Sequence, residues 1–218
     1  MSKSRTSSER SRVNKPLLYV VSAPSGGGKT SLVNALLERD SRVALSVSHT
    51  TRSPRPGEVD GVHYYFVDDA TFEGLAERGA FLEHARVFDH RYATGREPVE
   101  AQLAAGFDVL LDIDWQGARQ IRQSFPAART IFILPPSLDE LRRRLVGRGQ
   151  DAPEVIARRM EAARAEISHA GEFEFLIVND DFEAALADLH AVIRQGRPMR
   201  DPQNGKSREI LAELLETG

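Results

Sequence analysis

Two rhythms of apolar positions divide this chain. Short runs that are apolar throughout, bounded by polar or turn residues, read as strands buried on both faces. Longer stretches with apolar residues three and four apart read as helices with one covered side. Leu17-Leu18-Tyr19-Val20-Val21 predicts a strand over 17–22, followed by a helix over 29–39 through Leu32, Val33, Leu36 and Leu37. Val43 to Ser48 predicts a second strand, Val62 to Val67 a third, and 70–78 a short helix capped by Asp68 or Asp69. Phe81 to Val87 alternates as a strand does, Arg91 to Thr94 follows a turn, and a helix over 97–105 ends at Gly106. Asp108 to Asp114 predicts a strand ending in two carboxylates, with Trp115-Gln116-Gly117 opening a helix to about residue 123.

The second half repeats the alternation. Thr130 to Leu134 is a strand stopped by Pro135-Pro136, and Ser137-Leu138-Asp139-Glu140 is a capping box for a helix with Leu138, Leu141 and Leu145 on one side. Gly147-Arg148-Gly149 breaks that helix. Asp151 with Glu154 caps the next one, which has Pro153 in its first turn and Ile156, Met160, Ala163 and Ile167 as its stripe. Phe175 to Val178 is the last core strand, and 182–194 a helix through Leu186, Leu189 and Val192 or Ile193. A final amphipathic helix over 207–216, through Ile210, Leu211, Leu214 and Leu215, needs a surface to cover, on its own fold or on a second subunit.

Strands alternating with helices predict an α/β fold with a parallel central sheet. Between the second strand and the helix at 97 short strands dominate, which predicts a small mixed insertion. The expected division is a disordered tail over 1–14, rich in Ser and Arg, then a core over 15–47 and 98–195 interrupted by an insertion over 48–97. A lid over 137–168 lies within the core, and an extension over 196–218 follows it.

Composition narrows the function. Of 218 residues 41% are hydrophobic, enough for a core, and 29 basic against 32 acidic residues leave a net charge of -3. That argues against a general nucleic-acid or membrane-surface binder. The absence of cysteine excludes disulfides and thiol chemistry. No apolar run approaches the roughly 20 residues that span a bilayer, and the N-terminus has no apolar signal region, so a cytoplasmic protein is expected.

Candidate chemistry centres on Ala23-Pro24-Ser25-Gly26-Gly27-Gly28-Lys29-Thr30, between the first strand and the first helix. Glycines let successive N–H groups turn toward one anion, and the helix adds its positive end. Lys29 brings charge to the β- and γ-phosphates, and the Thr30 hydroxyl is a ligand for Mg²⁺. Ala23 stands where the motif has its first Gly. Asp112 and Asp114, two apart and so expected on one strand face, sit where such proteins hold a carboxylate near Mg²⁺. In Ser48-His49-Thr50-Thr51-Arg52-Ser53-Pro54-Arg55-Pro56-Gly57-Glu58, two arginines three apart in a proline-stiffened loop can grip a second phosphate. Arg144 and Arg148 at the glycine break suggest a lid that brings charge onto a transferring phosphoryl group. Arg142, Arg143, Arg158 and Arg164 read as solvated charge. No Asn-Lys-x-Asp is present, so a GTPase is disfavoured, and two anion sites call for a nucleoside monophosphate kinase. A carboxylate accepts both N1–H and N2–H of guanine, while an acceptor at adenine N1 would be penalised. Glu83, with Ser48 and Thr94 as hydroxyls, therefore points to guanine, although Glu83 as a surface charge stays open.

These motifs together resemble the guanylate kinase family, most like its bacterial members, from about Leu17 to Ile193. The resemblance rests on the phosphate loop with Ser22, the 48–58 loop, Leu111-Asp112-Ile113-Asp114-Trp115-Gln116-Gly117, Ile133-Leu134-Pro135-Pro136-Ser137 and Ile177-Val178-Asn179-Asp180-Asp181. It implies a P-loop nucleoside monophosphate kinase fold with a GMP-binding insertion and a helical lid, and transfer from ATP to GMP with Mg²⁺. By position it implies that Arg52, Arg55, Tyr64 and Tyr92 hold the GMP phosphate, with Glu58 from the same loop, and that Ser48, Glu83 and Thr94 read guanine. Asp112 and Asp114 lie near GMP and the Mg²⁺ water shell. Lys29, Arg52, Arg144, Arg148 and Arg159 serve the transfer, and Asn179 falls near the adenine. Where the family usually has Tyr-Tyr-Gly, this chain has Arg91-Tyr92-Ala93, which puts the position of Thr94 in question. His49 is expected at the pocket rim. Two rivals remain at this stage: a peptide-binding scaffold domain without catalysis, and a kinase for another nucleotide. A homo-oligomer through the last helix is an open partner, alongside ATP and GMP.

Overall fold

The computed structural model describes residues 15–87, 89–147, 153–201 and 203–216. The expected tail over 1–14, the helix cap at Asp151 and Arg148 lie outside them.

Five apolar runs form one parallel sheet. β1 (Leu18–Ser22), β2 (Val43–Leu45), β7 (Asp108–Asp112), β8 (Arg129–Leu134) and β9 (Phe175–Val178) stand in the order β2-β7-β1-β8-β9. Side chains alternate across a strand, so each run feeds two cores. Tyr19, Val21, Ile131, Ile133, Phe175 and Ile177 face one side, under α1 (Lys29–Arg39) and α7 (Phe182–Gln195). Leu18, Val20, Val109, Leu111, Phe132, Leu134 and Leu176 face the other, covered by α4 (Trp115–Ser124), α5 (Leu138–Gly147), α6 (Pro153–Ile167) and α8 (Gly205–Glu216). Two covered faces explain why these strands read as continuous apolar runs.

A second sheet, β4-β3-β6-β5, is built from β3 (Ser48–Thr50), β4 (Tyr65–Phe66), β5 (Phe81–Val87) and β6 (His90–Gly95). α2 (Asp69–Glu77) and α3 (Arg96–Ala104) complete this part of the chain, and Asp68 caps α2 through Thr71 N. Two expectations differ here. The strand expected over 43–48 is two strands: Ser46 N still donates to Leu110 O, then the chain leaves the first sheet and β3 pairs with β6. The strand expected over 62–67 shrinks to Tyr65–Phe66, because 59–64 is a turn closed by Val62 N and His63 N on Val59 O. Gly57 and Gly61, at φ +87° and +74°, are the residues that permit the reversal. Val62 is 62% exposed, so its place in an apolar alternation carried no core.

The last helix covers its own fold. Leu211 and Leu214 are buried among the residues of the second core, and Leu215 remains exposed. The lead-in is pinned to β9, the sheet's edge. Asn204 Oδ1 accepts Leu176 N, and Asn204 Nδ2 donates to Glu174 O, so one amide takes the place of a neighbouring strand. Arg200 donates to Val178 O and Asp188. Among the described residues no helix is long and apolar enough to cross a membrane.

Candidate active site

The loop between β1 and α1 is an open anion cradle. Gly28 caps α1 with φ +92° and no side-chain hydrogen bond, which leaves the first N–H groups of the helix free for a ligand. Gly27 N donates to Pro24 O at 2.8 Å, and Gly26 takes φ +87°. Asn179, buried at the end of β9, donates to Gly27 O at 2.9 Å and lies so close that any Cβ on Gly28 would strike it. Asn179 therefore braces the loop backbone. Thr30 is exposed on the first turn of α1.

Lys29 donates to Ile113 O at 3.2 Å and pairs with Asp112. Burial pulls the lysine pKa down, but the charge and hydrogen bond of Asp112 outweigh it and the net shift is upward. Asp112 closes β7, whereas Asp114 does not share its strand face. β7 ends at Asp112, and Asp114 is the cap of α4, accepting Gly117 N at 2.9 Å. A carboxylate two residues past a strand end reaches a helix N–H more readily than it extends the strand.

The helices expected as a lid touch this loop. Arg159 donates to Ser25 Oγ at 2.8 Å, and Glu166, two turns later on α6, accepts Ser25 N at 2.9 Å. Burial raises the Glu166 pKa. Glu166 is absent from the sequence-derived site. The available signal was an acid on the inward stripe between Ala163 and Ile167, spaced seven from Arg159. Arg144 donates to Glu140 and to Asn179 O, both at 2.8 Å, at the back of the same loop.

The loop expected to grip a second anion is held by its own contacts. Arg52 makes a bidentate pair with Glu58 at 2.8 and 2.9 Å, and Glu58 also accepts Arg55 N at 2.7 Å. The hydrogen bonds from Arg52 hold the Glu58 carboxyl down at about 2. Arg52 lies over the ring of Tyr64 at 5.3 Å, and Tyr64 meets Tyr92 edge-on. Arg55 is exposed. The Tyr64 phenol, pushed up mainly by burial, feels Asp112 and Lys29 as well as Tyr92 and Arg52. Tyr64 is thus the residue that links the surroundings of Arg52 to those of Lys29.

Strand register brings together the three residues expected to read a base. Ser48 pairs with Thr94 across β3 and β6, and Thr94 pairs with Glu83 across β6 and β5. Directly opposed residues share a sheet face, so the three stand side by side, with Tyr92 two positions along on the same face. A register shift between Phe81 and Glu83 aims the carboxylate inward. Glu83 is 3% exposed, and the fully buried Thr94 donates to its Oε1 at 2.6 Å. Burial and then, more weakly, the charge of Asp114 raise its pKa to about 7, against the Thr94 hydrogen bond. His49 departs from its expected rim position. It points to the opposite face, packed at a tilt against Tyr65 at 4.8 Å and Phe81 at 5.2 Å, because it is one residue out of phase with Ser48.

The guanylate kinase family model matches residues 15–196, which span both sheets and both grips. The chain belongs to the guanylate kinase family. The guanylate kinase of Alkalilimnicola ehrlichii is 58% identical over 198 residues, 91% of this chain and 98% of the relative. That of Escherichia coli (strain K12) is 57% identical over 200 residues, 91% and 97%. The crystal structure of guanylate kinase from Anaplasma phagocytophilum matches with a TM-score of 0.70 at 36% identity, covering 91% of this chain and 94% of that one. Against this background the scaffold-domain alternative loses its support: the relatives named above are guanylate kinases, and the loop Lys29 is in place. The family match ends at residue 196, before Arg200, Asn204 and α8 are added.

Proposed function

We propose that this member of the guanylate kinase family works by holding ATP on the 23–30 loop and GMP on the insertion, end to end, and moving one phosphoryl group between them. A GMP phosphate oxygen attacks the γ-phosphorus, the bond to the β–γ bridging oxygen breaks, and ADP and GDP leave. The observation that carries this division is that Glu83 of the insertion sits against Gly117 of α4, four residues past Ile113, whose carbonyl accepts Lys29, which supports the two substrates meeting at one end of β7.

Lys29 and the free N–H groups of α1 take the ATP phosphates. Arg52, held by Glu58, takes the GMP phosphate with Tyr64, Tyr92 and Arg55. Glu83 accepts guanine N1–H and N2–H, Ser48 offers its hydroxyl to the base, and Thr94 fixes Glu83. Arg144, Arg159 and Arg148 supply positive charge to the transferring group. Asn179 serves through the loop backbone beside the nucleotide. Among the described residues no three His, Cys, Asp or Glu side chains form a metal cage. One exposed hydroxyl, Thr30, and the nearby Asp112 and Asp114 suit Mg²⁺, which keeps several waters and takes its remaining ligands from phosphate oxygens. When bound, the ion neutralises charge on the transferring phosphates. We place the enzyme in the cytoplasm, where ATP and GMP are met, with no nucleic-acid or membrane partner.

An ADP-release assay with ATP and Mg²⁺, offering GMP, AMP, CMP and UMP separately, tests the reading. Turnover with GMP alone is the expected result. Turnover with another monophosphate keeps the kinase and removes the base assignment; none with any removes both.

A further inference from the structure

Glu83 belongs to the insertion, yet its carboxylate is seated by the core. β5 lies against α4, and the contact is made by residues three apart on one helix face, 117 and 120. Gln120 grips the β5 backbone beside Glu83: its Nε2 donates to His84 O at 2.8 Å, and its Oε1 accepts His84 N at 3.2 Å. One amide therefore pairs with one residue of the strand as a neighbouring strand would. One turn earlier the helix has no side chain. A Cβ on Gly117 would overlap Glu83 Oε2, approach Glu83 Cδ to 3.0 Å and Ile113 Cδ1 to 3.1 Å. The backbone does not ask for glycine there. Gly117 lies in the first turn of a regular helix and is not among the positive-φ glycines, and its N–H is already taken by Asp114. Only the space in front of its Cα is special, and Glu83 fills it.

We propose that Gly117 and Gln120 form a seat for Glu83 and, as positioning residues, set the guanine selectivity of the enzyme. Gln120 fixes where the strand backbone runs, and the missing side chain at 117 fixes how deep the carboxylate sits. Glu83 is held from two sides, by the Thr94 hydroxyl on Oε1 and by the bare helix turn against Oε2. Because α4 is part of the core that carries Asp112 and the phosphate loop, the seat ties the base reader to the ATP half of the site. A side chain at 117 displaces the carboxylate that should accept N1–H and N2–H together, while leaving both phosphate grips alone.

The inference rests on Glu83 reading guanine, so the test separates the two. Gly117→Ala, Gln120→Ala and Glu83→Ala are assayed with GMP and with IMP, which lacks the 2-amino group, alongside the KM for ATP and the melting temperature. Alanine is the better helix former, which offsets part of the cost of displacing Glu83, so Gly117→Ala is expected to stay folded and to melt within a few degrees of wild type. It is expected to raise the KM for GMP by about tenfold or more and to shrink the GMP-to-IMP preference in kcat/KM toward that of Glu83→Ala. The KM for ATP stays unchanged. Gln120→Ala shows the same pattern more weakly. If Glu83→Ala loses the preference and Gly117→Ala keeps it, the seat is overturned and the reader stands. If Glu83→Ala itself keeps the preference, the reader falls and the seat with it.

Discussion

The glycine loop and the row of Ser48, Thr94 and Glu83, the two ligand sites of the proposed function, are built by opposite means. The loop is local: eight consecutive residues from Ala23 to Thr30, shaped by glycine φ values and completed by a helix end. Its donors are backbone N–H groups, which any sequence permitting the turn would present. The row is non-local. Ser48, Thr94 and Glu83 come from three strands and become neighbours only through register, and Glu83 then depends on a glycine of α4. A backbone site takes its shape from its own turn and is only braced from outside, whereas a side-chain site inherits every displacement of the elements beneath it.

The largest expected effect breaks the loop half. Lys29→Ala should lower kcat/KM by about three orders of magnitude or more, since in the proposed function it removes the charge that meets the transferring phosphoryl group. The melting temperature should stay close to wild type, because Lys29 is partly exposed and outside the core clusters. Near-normal turnover would break the loop assignment. Arg52→Ala should act on the other half, raising the KM for GMP by about 30- to 100-fold through a lost charge-assisted grip, with the KM for ATP unchanged. A reversed pattern would exchange the two sites.

Glu166→Ala sharpens the comparison, because it asks whether the loop also leans on a distant side chain. It should raise the KM for ATP by about tenfold, and Glu166→Gln should recover most of the loss, since an amide oxygen still accepts Ser25 N. Equal KM values in both variants and wild type would show that the loop holds itself.

Glu83→Gln should have the smallest effect on folding of the site and the clearest effect of pH. The folded pKa of Glu83, about 7, lies above its ordinary 4.5, so protonation favours the folded state. That contribution is complete below pH 4.5 and is lost as pH rises through 7. At pH 8 wild type then carries a cost of order 3 kcal/mol that the amide does not. Glu83→Gln should therefore be more stable than wild type at pH 8 and no more stable at pH 4, measured by denaturant titration. The empty enzyme should also bind GMP more weakly as pH falls below 7, as the acceptor takes up a proton. A pH-independent difference between the two proteins would contradict a buried carboxylate.

Much of this molecule was legible in order along the chain. The core strands were readable because burial on both faces leaves an unbroken apolar run, and α1, α5 and α7 because one covered side imposes a helical period. Val43 to Ser48 misled because a run that changes partner sheets looks like one that does not. Val62 to Val67 misled because its first residues belong to an exposed turn, where Val62 mimics an inward position. Asp114 looked like a strand residue because the spacing of two carboxylates does not reveal where a helix begins. Glu166 carried no motif, since its partner, Ser25 N, lies 141 residues away.

By itself the sequence determined the parallel core, the phosphate loop with Lys29 and Thr30, and the residue types that suit two phosphates and a guanine. Those follow from local spacing, from backbone freedom at glycine and from the chemistry of each side chain. Only the tertiary structure decided that His49 faces away while Ser48 faces in, that Glu58 is spent on Arg52, that α8 covers its own core, and that Gly117 makes room for Glu83. Each of these depends on which distant element arrives at which face, and a period along one segment carries no information about its neighbour.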